Sequence, residues 1–337
     1  MTRWWLGTIA GIAPLFASTA SAHHSTALVY DRGGVLIEAE GVITEVAWVN
    51  PHVRFKMRGA GADGVERLWD IESNSVSIVS RFGLTADLVA TGTRVKVAGN
   101  GGRTADNVLW LTNMMLPTGQ EILFGAAIQP RWSQQTIGGD IRSAVAADTQ
   151  NLGIFRVWTN TTNPPAFWAS SNLPLTARAA AARAAFDPLA DEPTANCAPK
   201  GMPFIMEQPY PLEFVAAGDE ILLKMEEYDT VRRIAMKPGV ARRADPKSPL
   251  GVSFGRWEDG ALVVFTQDIG YGWVNGTGIP LGPEATTQER FELNADGSRL
   301  EYTLTVTDAA TFTAPATFRK AWEWRPGEQV RPYECRQ

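Results

Sequence analysis

The chain has 337 residues, with 31 Lys and Arg against 36 Asp and Glu and a formal net charge of −5. That length allows two domains, each able to bury a core. Mild acidity without a basic block argues against a nucleic-acid partner.

Residues 1–22 read as an export signal. Arg3 supplies the positive end, Trp4 to Phe16 is apolar, and Ala20-Ser21-Ala22 is a small-x-small cleavage site. The alternative is an uncleaved anchor. No later run approaches the ~18 apolar residues of a spanning helix, so no membrane span is expected after cleavage. The expected location is periplasmic or secreted.

All three histidines, His23, His24 and His52, lie between Ala22 and His52. Cleavage after Ala22 makes His23 the N-terminus. Its α-amine and ring Nδ1 then chelate one cation, and a second imidazole completes a three-nitrogen site suited to copper. Cleavage after Ala20 puts His23 third, which also suits Cu(II). The metal reading takes His23 and His52, with His24 as a further candidate. The alternative makes His52 a hydrogen-bonded turn residue and leaves the terminal pair unordered.

Residues 23–125 predict an OB-like barrel. Val35 to Val49 is a long strand, and Gly41 within it marks a bend or bulge. Pro51 interrupts the pattern, so Asn50-Pro51-His52 reads as a turn at the barrel rim. Val53 to Met57 and Glu66 to Glu72 are strands, split by a Gly-rich loop at 58–64. Asn74 is a candidate N-cap for a helix over 75–82, stopped by Gly83. Thr93 to Ala98 and Val108 to Leu116 complete five strands, separated by a turn at Asn100-Gly101-Gly102. Five strands with a helix between the third and fourth is the OB order.

The motifs Ala22-His23-His24-Ser25, GVITEVAWVNPH (41–52) and TRVKVAGN (93–100) resemble a family of secreted bacterial domains. Its members begin AHHS and carry W-x-N-P-H after the first strand. The resemblance covers about residues 22–125 and implies a module and a compartment, with no activity to carry over.

Residues 126–151 have little periodicity and read as a linker. Residues 152–337 predict a larger barrel. Leu175 to Phe186 is an Ala-rich helix ended by Asp187-Pro188. A proline-rich loop over 193–211 carries Cys197. Eight strand-like segments then follow between Leu212 and Trp324, separated by turns such as Glu258-Asp259-Gly260. Consecutive strands without βαβ alternation favour an antiparallel up-and-down barrel. The fold class expected is therefore all-β. Cys197 and Cys335, the only two cysteines, predict one disulfide in an oxidising compartment. Two buried thiols are the alternative.

This half resembles a second secreted bacterial family with C-x-P-x-G-x-P, then S-x-G-x-W-x-x-x-x-L-V-V. The matching residues are Cys197, Pro199, Gly201 and Pro203, then Ser253, Gly255, Trp257, Leu262, Val263 and Val264. The opening Gly153-x-x-x-x-Trp158 is similar to the first strand of lipocalin-like barrels, but departs from their G-x-W spacing. That likeness implies a cup for a small apolar or amphipathic ligand.

Strand parity turns Glu227, Arg232 and Asp308 toward the barrel interior or mouth. Glu227 and Arg232 are a candidate pair, either closing the barrel end or anchoring a ligand or proton transfer. No nucleophile elbow, P-loop or dinucleotide fingerprint is present. The favoured expectation is an exported small-ligand-binding protein whose first domain gives a copper site or a partner surface. The alternatives are a copper redox enzyme using His23 and His52, or a metal-free lyase, isomerase or hydrolase using Glu227, Arg232 and Asp308.

Overall fold

The computed structural model describes residues 26–139, 152–160, 172–239 except 189, 192, 195 and 196, and 247–336. The expected signal, with His23 and His24, lies outside the described residues. No described helix is long and apolar enough to cross a membrane.

The first barrel opens with a short helix, α1 (Thr26–Val29), and then strands β1 (Ile37–Ala47), β2 (Arg54–Gly61) and β3 (Glu66–Glu72). Helix α2 (Val76–Val79) runs into a 3₁₀ turn, Ser80–Phe82, and strands β4 (Arg94–Gly101) and β5 (Val108–Met115) follow. Strand β1 pairs with both β2 and β4, and β4 with β5. The parallel pairing of β3 with β5 closes the five-stranded barrel. This is the OB order read from the sequence.

Local differences have local causes. The N-cap of α2 is Ser75, not Asn74; its hydroxyl accepts from Ile78 N at 3.2 Å. The side chain of Asn74 instead donates to the Phe124 carbonyl. Gly83 stops the helix as expected, with φ 77°. Gly41 sits opposite Gly59, and a Cβ on Gly41 would lie 2.3 Å from the Arg58 carbonyl oxygen. Close approach of two backbones, rather than a bend, therefore demands this glycine; the register shift lies beyond it, between Ile43 and Glu45. Asn100-Gly101 extends β4 instead of turning.

Strands β6 (Glu121–Leu123) and β7 (Thr136–Gly138) add to β5, so the first part of the expected linker belongs to this sheet. Buried Glu121 anchors it by accepting from the backbone N–H of Arg131, Trp132 and Ser133. Desolvation raises the pKa of that carboxyl, and these bonds more than offset it, holding it below the usual range.

The second barrel contains β8 (Val157–Asn160), helix α3 (Ala177–Ala185) and strands β9 (Leu212–Ala217), β10 (Glu220–Met225) and β11 (Thr230–Ala235). It continues through β12 (Val252–Glu258), β13 (Ala261–Gln267), β14 (Thr286–Leu293), β15 (Arg299–Thr307) and β16 (Ala316–Glu323). The nine strands close in the order β10-β11-β12-β13-β14-β15-β16-β8-β9. Strand direction cannot alternate all the way round an odd-numbered ring, so at least one neighbouring pair must run parallel. That pair is β11 and β12, joined through Ile234–Ser253 and Ala235–Phe254. The other neighbours are antiparallel, as expected from the meander.

Alternating inward side chains fill this barrel. Phe291 lies 4.7 Å from Tyr302, 5.2 Å from Phe214 and 6.4 Å from Trp322, centroid to centroid. Trp158, Leu223, Leu304 and Trp322 are fully buried in the same cluster. The expected cup is thus packed with aromatic rings at this level.

The expected disulfide is present: Cys197 and Cys335 are bonded across a separation of 138 residues. It ties the tail that follows β16 to the Cys197 loop, and the tail itself lies against the first barrel. Asn50 makes a parallel bridge with Cys335, and Arg336 N donates to the Asn50 carbonyl.

Candidate functional site

His52 follows the cis Asn50-Pro51 bond at the end of β1 and faces the strand that carries Glu72. Its Nδ1 lies 3.5 Å from Glu72 Oε2, and its ring meets Trp110 edge-on at 5.3 Å. The same Glu72 oxygen accepts from the Tyr30 hydroxyl at 2.9 Å. Arg54 Nε approaches the other carboxylate oxygen at 3.3 Å. Tyr30 packs on Trp110 at 5.6 Å, and Arg32 stacks over that indole at 4.5 Å. One carboxylate thus joins the histidine of the N-P-H turn to the N-terminal arm.

The arm is fixed there by backbone bonds as well. Tyr30 bridges to Gly102, Asp31 N donates to the Gly101 carbonyl, and Arg103 N donates to the Val29 carbonyl. Burial of the Tyr30 phenol, with the Glu72 charge adding to it, raises its pKa well above the ordinary value. The phenol therefore stays protonated and donates. His23 and His24 precede this anchored segment and lie outside the described residues. Among the described residues no group of three or more His, Cys, Asp or Glu side chains is arranged to hold a metal. His52 and Glu72 alone supply two donors, so a metal here requires the arm's own ligands.

Asn50, in the same motif, has a structural task. Its Nδ2 donates to the Tyr333 carbonyl and to Ser77 Oγ, and its Oδ1 accepts from Ser77 N. It is 4% exposed and joins α2 to the tail. Asn50→Ala strands buried backbone groups on both sides. The expected loss is about 2–3 kcal/mol, read from denaturant unfolding with the disulfide intact. Next to it, Arg81 makes a bidentate pair with Glu226 at 2.9 and 2.8 Å and reaches Glu328 at 3.0 Å. This buried pair bolts the first barrel to the second.

The three candidates in the second barrel are all buried, but they do not meet as one group. Glu227 pairs with Lys200 at 2.8 Å, not with Arg232. Strand alternation stops after Met225: Glu227 opens a 3₁₀ turn in which Tyr228 and Asp229 take φ of 56° and 50°, so it does not continue the β10 face. Arg232 instead forms a bidentate pair with Glu289 and also bonds Ser253 and Thr266. Tyr302 donates to Glu289 at 2.8 Å. Burial alone would lower the Arg232 pKa, and Glu289 more than offsets that, so the guanidinium stays charged. Asp308 closes the loops at one end, accepting from Gly282 N at 2.7 Å and Ala310 N at 3.0 Å.

Sequence reading missed Tyr30, Glu72, Glu226 and Glu289. For Glu289 a signal existed, because it alternates with Thr287 and Phe291, which face the core. For Tyr30 and Glu72 none did, since their meeting depends on how the arm folds back. The described open spaces lie outside the aromatic packing. One groove of about 490 Å³ follows the β11–β12 seam, and a cleft of about 270 Å³ lies between Trp48 and the tail.

No curated protein matches the chain. A family of unknown function, DUF6152, matches residues 13–108. The match takes in the three histidines, β1 to β4 and the N-P-H turn, and it leaves the second barrel outside. The first barrel is similar to that family.

Proposed function

We propose that this is an exported, non-catalytic binding protein that holds copper where its N-terminal arm meets His52. The observation that carries the reading is one Glu72 oxygen, which accepts from the arm's Tyr30 and lies 3.5 Å from His52 Nδ1. Glu72 lies beside Nδ1, the placement by which a carboxylate supports a metal-binding imidazole, and Nε2 would be the nitrogen that faces the metal. His23, through its amine and ring, with His52 and with His24 in reserve, would complete the donor set. Bound copper supplies a one-electron couple. The separate partners of Glu227, Arg232 and Asp308 favour binding over catalysis by those side chains.

The test is Cu(II) titration of the processed protein, followed by visible absorption and electron paramagnetic resonance. Mass spectrometry of the mature N-terminus comes first. The expected result is one equivalent bound, with His52→Ala and Glu72→Gln each weakening affinity about 10–100-fold. Equal affinity and equal spectra in His52→Ala remove His52 from the site.

A further inference from the structure

Among the described residues several buried cations have carboxylate partners, whereas Lys320 is held by the carbonyls of Met206, Glu207 and Gln208. Arg81 has Glu226 and Glu328, Arg232 has Glu289, and Lys200 has Glu227. Arg156 is different. It is 8% exposed, just ahead of β8 at the rim of the second barrel. Its guanidinium lies between two indoles, 4.5 Å from Trp158 and 4.2 Å from Trp324. Nη2 donates to the Gly297 carbonyl, while Nε is buried and has no hydrogen-bond partner. Burial lowers its pKa, and among the described residues no carboxylate offsets that.

The energetics are unbalanced. Two indole faces supply about 1–2 kcal/mol each at best, whereas withdrawing a cation from water costs several kcal/mol. The neighbouring arginines do not share this state: Arg299 has Glu301 and Arg325 has Glu323. One unneutralised guanidinium matches a monoanion, and its planar fork matches a carboxylate. The surface at the preceding residue is aromatic. Phe155 stacks edge-on to Trp257 at 6.1 Å, and Trp257 is 48% exposed.

We propose that this end of the second barrel binds an organic monocarboxylate, with the carboxylate on Arg156 and an apolar tail over Phe155 and Trp257. The site is remote in sequence from the histidine arm and does not depend on copper.

The test titrates the metal-free full chain with n-alkanoates from acetate to octanoate, below micelle formation, and reads tryptophan fluorescence. Octanol is the uncharged control. The expected result is saturable quenching that strengthens about threefold to fourfold per methylene. Arg156→Gln is expected to weaken octanoate about 10–100-fold, and Arg156→Lys less. Trp257→Ala is expected to reduce the gain per methylene and leave acetate unchanged. Absence of saturation, octanol binding as well as octanoate, or wild-type affinity in Arg156→Gln overturns the proposal. If Arg156→Gln does not fold, the wild-type comparison of octanoate with octanol and the Trp257→Ala series decide it.

Discussion

Glu289→Ala is expected to destabilise the second barrel by about 3–5 kcal/mol, because it leaves Arg232 charged and unpaired in the core. Arg232 and Glu289 are 1% and 0% exposed at the side chain, and the arginine's other bonds go to Ser253 and Thr266, neither of which can carry a counter-charge. Tyr302 loses its acceptor at the same time, adding a buried hydroxyl to the deficit. Guanidinium unfolding followed by near-ultraviolet circular dichroism reports on this barrel, since Tyr302, which bonds Glu289, belongs to its aromatic cluster. A companion variant, Arg232→Met with Glu289→Leu, removes both charges together. It is expected to recover most of the loss, because a buried ion pair is often replaceable by apolar residues of similar volume. A loss under about 1 kcal/mol in Glu289→Ala would mean the guanidinium finds water, and the barrel centre is wetter than described.

Removing the disulfide is the second large effect. The bond spans 138 residues, and the loop-entropy relation for such a closure predicts about 5 kcal/mol. Replacing both Cys197 and Cys335 by serine removes that constraint on the unfolded chain. The tail lying next to Cys335 also carries Tyr333 and Arg336, which bond Asn50, and Glu328, which bonds Arg81. Loosening the tail should therefore uncouple the two barrels. The expected outcome is a lower unfolding midpoint and two resolved transitions in place of one, seen by calorimetry under non-reducing conditions. A single transition with an unchanged midpoint would show that the Arg81–Glu226 pair and the Asn50 contacts hold the barrels without the bond.

Much of the fold could be read locally. Alternation of apolar and polar residues located the strands of both barrels except the short β6 and β7, with β8 and β14 found only in part. Thr176 capped α3 through its hydroxyl, and Gly83 ended the α2 turn because it has no Cβ to oppose a left-handed φ. The OB order followed from five strands and one helix placed between the third and fourth. The parallel β11–β12 junction was not legible, because it follows from the strand count around a closed ring and not from any one segment.

The sequence by itself determined the two β modules, the disulfide partners and the concentration of histidine near the N-terminus. Those features are written in side-chain period, in a cysteine count of two and in composition. Only the tertiary structure decided which charges meet. Arg232 reaches Glu289 across 57 residues, and Arg81 reaches Glu226 across 145. Parity says which way a side chain points, but the identity of its neighbour depends on barrel closure and on the docking of one barrel against the other. The same applies to His52 and Tyr30, which share Glu72 because the arm folds back over the barrel rim.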